Sequence, residues 1–438
     1  MKIIFGLNTR NIFMMVLGFV ISSVCLVGYT SLRSQPSLVT GAPLSTSQPV
    51  QLGHSSLSAR KVAGFVNKPS SFQPPLVGFG ESVAIHGDTL VVGASNWGMV
   101  SNGKVFVYQY RAGEWVEQTR LVASDRDDTI QHDHNFGKSV AIYGDTIAVG
   151  APKADDQQVG ENTGAVYIFE RRGENWEQTN ILKAPDIRPN AGFGRDAKLS
   201  DDTLVVTLDY GENGVYIFKR SGDSWIEQAR LSEGGSGERD WFGASTAVHG
   251  DWLAVSVQFD FEEERGWRKE AVYLYRRDGD DWQKASELSV PERKIFFGSS
   301  LAMDGETLVI GAPGDREAGF WAGAAFVYRR DGETWREQAK LIAPDSTIMT
   351  GFGSSAAVQG DILVISAPGS SEYGFWSGQA YLYQYQADTW IIQEKLIPPD
   401  ESKFGGEFGS RIAIDGDTIG IAAPDEFGNA VYIFEVDR

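Results

Sequence analysis

The dipeptide Phe-Gly recurs at near-regular intervals along the chain, at Phe79-Gly80, Phe136-Gly137, Phe193-Gly194, Phe242-Gly243, Phe297-Gly298, Phe352-Gly353 and Phe408-Gly409. The intervals between them are 57, 57, 49, 55, 55 and 56 residues. A regular period of this length means that one supersecondary unit is built repeatedly, each copy burying its apolar face against the next. The copies share an internal plan. In the first, Ser82 to His86 alternates, Gly87-Asp88 fits a two-residue hairpin turn in which Gly supplies positive φ, and Thr89 to Ala94 returns as an apolar run. A third strand, Lys104 to Tyr110, turns at Ala112-Gly113 into a fourth that carries Trp115 and Leu121. The hairpin recurs at Gly144-Asp145, Gly250-Asp251, Gly360-Asp361 and Gly416-Asp417, and the tryptophan recurs as Trp176, Trp225, Trp282, Trp335 and Trp390. Six tryptophans at one repeat position read as packing residues, each burying roughly 150 to 250 Å².

Units of four strands arranged radially leave only short, protected edges, so the expected fold is all-β: a seven-bladed β-propeller of four-stranded blades. Aromatic residues at 12% and 50 glycines suit many short strands joined by tight turns. The seventh repeat ends at Phe434 to Arg438, right after its third strand. Its missing outer strand must come from elsewhere, and the stretch Arg60 to Asn67 ahead of the first Phe-Gly is expected to close the ring.

The repeats resemble the FG-GAP family, whose best-known members are the amino-terminal propellers of integrin α subunits. Its second signature stands at Gly150-Ala151-Pro152 and Gly311-Ala312-Pro313, with close variants at Gly93-Ala94-Ser95, Ser366-Ala367-Pro368 and Ala422-Ala423-Pro424, while repeats three and four have lost it. The resemblance covers about residues 60 to 438 and implies the propeller fold and an adhesion or recognition role. Integrin-like repeats often carry a calcium loop of Asp-x-Asp-x-Asp-Gly type in the first hairpin. Here that hairpin is Gly-Asp, and one carboxylate cannot supply the six to eight oxygens that calcium takes. No metal and no cofactor is therefore expected, and the chain looks like the bacterial, compact-hairpin branch of the family.

The first 60 residues contain Lys2, Arg10, Arg33 and Arg60 and no acid, which leaves 35 basic and 58 acidic residues in the remainder. A field of that sign repels phosphate backbones and anionic lipids, so nucleic-acid binding is disfavoured and any membrane contact is expected only through the amino-terminal segment. That segment is apolar and uncharged from Ile12 to Tyr29, which as a helix would be about 27 Å long and enough to span a bilayer. Residues 1 to 30 read as a signal peptide or an uncleaved signal anchor, with basic residues ahead of the apolar run directing the rest of the chain out of the cytoplasm. Residues 31 to 59, rich in Ser, Pro, Thr and Gln, read as a flexible linker. Cys25 is the one cysteine, so no intrachain disulfide framework exists.

Antiparallel connectivity places the loops between strands one and two, and between three and four, on one face of the ring. Loops between strands two and three share the opposite face with the connections between blades. The first set is short and polar. The second is long and aromatic, with Trp97 in blade one, Phe259 and Trp267 in blade four, Phe320 and Trp321 in blade five, and Tyr373, Phe375 and Trp376 in blade six. Partly exposed aromatics ringed by polar groups are usual anchors of protein interfaces, and flat rings also stack on sugar faces. These eight residues are the candidate ligand-binding set, with the alternative that the Phe-Trp pairs fold back over the blade tops as packing. The run Asp125-Arg126-Asp127-Asp128 with His132-Asp133-His134 on the same face reads as a solvated loop rather than a metal site.

The five histidines form no recognisable catalytic arrangement, so no catalytic residue is assigned. The reading is a non-enzymatic, extracytoplasmic binding or adhesion scaffold that recognises a protein or glycan at the cell surface. Two alternatives stand beside it: a propeller hydrolase using paired carboxylates on a glycan, and a purely structural envelope protein.

Overall fold

The computed structural model describes residues 57–66, 78–95, 103–125, 134–186, 188–209, 214–232, 241–262, 267–290, 295–398, 406–424 and 429–438. They form seven antiparallel sheets of four strands, six of them in simple up-and-down order and the seventh completed by the first described strand of the chain. The first strand of every blade touches the first strand of the next, and that of blade seven touches that of blade one, so the inner strands close a ring. The expected seven-bladed propeller is what the chain forms. The apolar amino-terminal segment expected as a helix lies outside the described residues, and no described helix is long and apolar enough to cross a membrane. The compact unit that contains the propeller runs from Leu52 to Arg438.

Second strands are covered on both faces by neighbouring blades. Thr89–Ala94, Thr146–Ala151, Thr307–Ala312 and Ile362–Ala367 are buried at every residue, which is why they read as continuous apolar runs rather than as alternating strands. Between blades the core is a series of mixed clusters. In one, Phe136, Tyr167 and Trp176 of blade two meet Val91, Val107 and Leu121 of blade one.

The Phe-Gly signature has two separate causes. Each Phe is a core side chain, 0% exposed at Phe193, Phe297, Phe352 and Phe408, and packs edge-on against an aromatic of its blade's third strand, as Phe136 does with Tyr167 at 5.3 Å. Each following Gly has φ between 85° and 97°, a region that side chains rarely enter. The Gly of the second signature answers to a neighbour instead. A Cβ on Gly311 would lie 1.9 Å from the carbonyl oxygen of Gly353 in the next blade. The two signatures therefore meet across the blade joint.

Outer strands carry a recurrent irregularity. In blades one to six the pairing of strands three and four skips a single residue on strand four: Gln118, Thr179, Gln228, Ala285, Gln338 and Gln393. Such a bulge re-aims the skipped side chain. Where the skipped residue is a glutamine with a tryptophan on the following blade, the amide oxygen accepts from that indole: Trp176 to Gln118 at 3.2 Å, Trp282 to Gln228 at 3.0 Å and Trp390 to Gln338 at 3.2 Å. All six repeat-position tryptophans are buried, as their recurrence predicts.

Blade seven is completed by Ser58–Val66, which pairs antiparallel with Ala430–Asp437. The closing strand starts two residues earlier than its expected start at Arg60. It carries the same kind of bulge as the other outer strands, at Val62. Phe65 stacks on Tyr108 of blade one at 4.0 Å, and the backbone N–H of Ala59 donates to Glu394 of blade six at 2.5 Å, so the strand is held from both neighbours.

Candidate functional site

Blades two, five and six share one loop design between strands two and three. It ends in Gly160-Glu161-Asn162-Thr163-Gly164, Gly319-Phe320-Trp321-Ala322-Gly323 and Gly374-Phe375-Trp376-Ser377-Gly378 respectively. Each loop is zipped by backbone hydrogen bonds to the connection that leads into the next blade. In blade two, Asn190, Gly192 and Phe193 donate to the carbonyls of Glu161, Asn162 and Thr163 at 2.9, 3.1 and 3.0 Å. In blade five, Met349, Gly351 and Phe352 donate to those of Phe320, Trp321 and Ala322 at 2.8, 3.1 and 2.9 Å. Blade six repeats the last two bonds, from Glu407 and Phe408 to Trp376 and Ser377 at 3.1 and 3.2 Å.

The middle residue of each loop is left-handed: φ is 53° at Asn162, 55° at Trp321 and 51° at Trp376. Asparagine tolerates that conformation, whereas a bulky residue there pays about 1 to 2 kcal/mol in sterics. The backbone therefore does not call for tryptophan, since blade two builds it with Glu-Asn.

Within each aromatic pair the rings are parallel: Phe320 and Trp321 at 5.5 Å and 5°, Phe375 and Trp376 at 5.5 Å and 4°. The phenylalanines face outward, 51% and 66% exposed, while both tryptophans are half-buried. Trp321 rests edge-on against Phe296 at 5.9 Å, and the Arg316 guanidinium lies 4.9 Å from the Phe320 ring. Exposure and packing, the two alternatives for these rings, thus divide between the members of each pair. Tyr373 lies at the surface with Lys395 at 5.5 Å from its ring.

Lysines on the fourth strands pin these loops. Lys340 binds the buried Asp315 at 2.8 Å and Glu317 at 2.9 Å. Lys395 binds Glu372 at 2.6 Å and Asp345, in the connection between blades five and six, at 2.7 Å. Burial lowers the proton affinity of Lys395, but bonds to the two carboxylates outweigh it and hold its ammonium above the ordinary lysine range. Burial works against ionisation of Asp345, yet bonds from Lys395 and from the Tyr381 hydroxyl keep its carboxyl below the ordinary carboxylate value.

The other candidates are placed differently. Phe259 and Trp267 lie at the distal ends of the second and third strands of blade four, Trp252–Glu262 and Trp267–Asp278, beyond the last residues whose side chains are described there. Trp97 and residues 126 to 133 of the His/Asp loop lie outside the described residues. Two exposed apolar residues missing from the candidate set join the surface of blades five and six: Ile348, 68% exposed, and Ile397, 38% exposed. Ile348 sits beside the blade-five loop, 3.8 Å from where a Cβ on Gly319 would lie. An isoleucine in a connection that also holds Ser346, Thr347 and Thr350 was the one signal available for it.

The FG-GAP repeat model matches residues 77–108, 115–169, 292–328 and 335–383. The chain is an FG-GAP repeat propeller. None of the curated proteins matches it. Among solved structures, the WD40 domain of coronin from Toxoplasma gondii is similar at 10% identity, with a TM-score of 0.50 over 87% of this chain and 86% of that one. At that identity the likeness speaks for the fold alone. The two FG-GAP segments that match beyond blade four contain the aromatic loops of blades five and six.

Proposed function

We propose that this FG-GAP propeller is a non-enzymatic binding scaffold that presents the loop surface of blades five and six to a protein or glycan partner. The observation that carries the reading is internal to the chain. Three blades share one loop backbone, and two of them fill it with parallel Phe-Trp pairs at a conformational cost that the third avoids with Asn162. Rings placed against local preference and left half in solvent are what a recognition surface needs, because aromatic anchors concentrate binding energy in few residues.

The surroundings support the same reading. Lysine clamps and backbone zippers hold the loops before any partner arrives, so little ordering entropy is lost on binding. The resemblance to integrin propellers fits an adhesion role. The basic, apolar amino terminus fits a location outside the cytoplasm, held at the membrane or released from it.

Glycan-array screening and affinity capture from envelope extract, each with wild-type chain and with a Phe320→Ala/Phe375→Ala variant, test the proposal. Specific ligands that bind the wild type and are lost from the variant, at unchanged melting temperature, are the expected outcome. Ligands retained by the folded variant would remove this surface from the function.

A further inference from the structure

A second feature lies on the ring axis, away from the aromatic loops. The first strands of all seven blades enclose a cavity of about 250 Å³, room for roughly eight waters or one compact ligand. Its walls are uneven. In blades four, five and six the residue after Phe-Gly is Ala244, Ser299 or Ser354, and the space opens there because these side chains are small. On the other side the cavity is lined by Lys138, Arg195 and Lys198 of blades two and three and by Arg411 of blade seven.

Four cations converge here in a chain whose formal net charge is −19. Three are steered by carboxylates: Lys138 by Glu81, Arg195 by Asp209 at 2.7 Å and Lys198 by Asp196 at 3.0 Å. Arg411 donates to the Ser410 carbonyl at 2.8 Å and has no carboxylate partner among the described residues. Cations therefore exceed these paired acids by one, and a recess lined by an excess of one sign of charge raises the local concentration of the opposite sign.

We propose that this axial cavity binds a small oxyanion, a carboxylate, sulfate or phosphate, free or carried on a compact sugar, with Arg411 as its principal partner. A guanidinium presents a planar fork that matches oxyanion geometry, and the fixed lysines add point charges around it.

Isothermal titration of the full chain with phosphate, sulfate, glucuronate and glucose at fixed ionic strength tests the site. Saturable binding of at least one anion and none of glucose is expected, with affinity at least about tenfold weaker in Arg411→Gln. Glucuronate binding without phosphate or sulfate assigns a sugar-borne carboxylate, and the reverse assigns a free ion. Ala244→Leu fills the open side while keeping every cation; it should also abolish binding, and it serves should Arg411→Gln fail to fold. Absence of binding for all three anions up to about 10 mM, equal binding of glucose, or wild-type affinity in either folded variant would overturn the proposal.

Discussion

The indole N–H of Trp390 donates to the side-chain oxygen of Gln338 at 3.2 Å, across the joint between blades six and five. Gln338 is the residue that the blade-five sheet skips in its outer pairing, so a defect in one ladder supplies the bond that fastens the next. Where the skipped residue cannot accept, the bond is missing. Blade four has Ala285 at the bulge and the closing strand has Val62, and the indole nitrogens of the two tryptophans that follow, Trp335 and Trp115, are buried without a partner.

Gln338→Ala should therefore cost about 1 to 2 kcal/mol, because it leaves a buried donor unmet. Ala285→Gln should gain about 0.5 to 1.5 kcal/mol by supplying the missing acceptor to Trp335. Denaturant titration of both variants, with unchanged slope, checks the pair. A neutral Ala285→Gln together with a neutral Gln338→Ala would show that the bulge does not fasten the joint.

Deleting residues 57 to 66 removes the outer strand of blade seven together with the Phe65–Tyr108 stack and the Ala59–Glu394 bond. The melting temperature should fall by roughly 10 °C or more, with exposure of apolar surface along Ala430–Asp437. Supplying residues 57 to 66 as a separate peptide should restore part of the loss. Calorimetry with and without the peptide is the measurement.

Trp321→Asn and Trp376→Asn place the blade-two residue into the same backbone. Relief at φ 55° and 51° offsets the lost ring contacts, so the double variant should stay within about 1 kcal/mol of wild type while ligand binding drops. A destabilisation above about 3 kcal/mol would instead mark both rings as packing residues.

Acid should loosen the joint between blades five and six. The Asp345 carboxyl sits below its ordinary value of 3.8 in the folded chain, so the unfolded chain binds the proton more readily there. Its stabilising contribution is complete above that ordinary value and is lost as pH falls through the depressed one. Lys395, raised above its ordinary 10.5, keeps its contribution up to that value and loses it only in stronger alkali. Asp345→Asn should flatten the acid limb of a plot of denaturation midpoint against pH, and an unchanged limb would exclude this pair as its source.

Much of the architecture is legible in the sequence because its causes are local and repeated. A glycine held at positive φ beside a backbone neighbour admits no other residue cheaply, so Phe-Gly survives in every blade and counts the blades. The missing fourth strand of the last repeat announced a strand swapped in from the front. The bulge fastening is different. Gln118, Gln228 and Gln338 read as ordinary outward polar residues of an edge strand, and only the pairing register shows them turned toward the next blade. At the candidate site the aromatics stand out by composition, but their division into outward Phe and inward Trp depends on a left-handed turn that Trp321 and Trp376 give no hint of adopting. Ile348 escaped notice because Ser346, Thr347 and Thr350 make its stretch read as a plain connection, and only the fold sets it beside Gly319 of the blade-five loop.

The closing strand also imposes an order on biosynthesis. Ser58–Val66 leaves the ribosome before any blade, yet its partner Ala430–Asp437 follows about 360 residues later, a delay of tens of seconds at ordinary elongation rates. Throughout that interval the strand lacks its partner, and blade seven is the last sheet able to gain its full complement of strands.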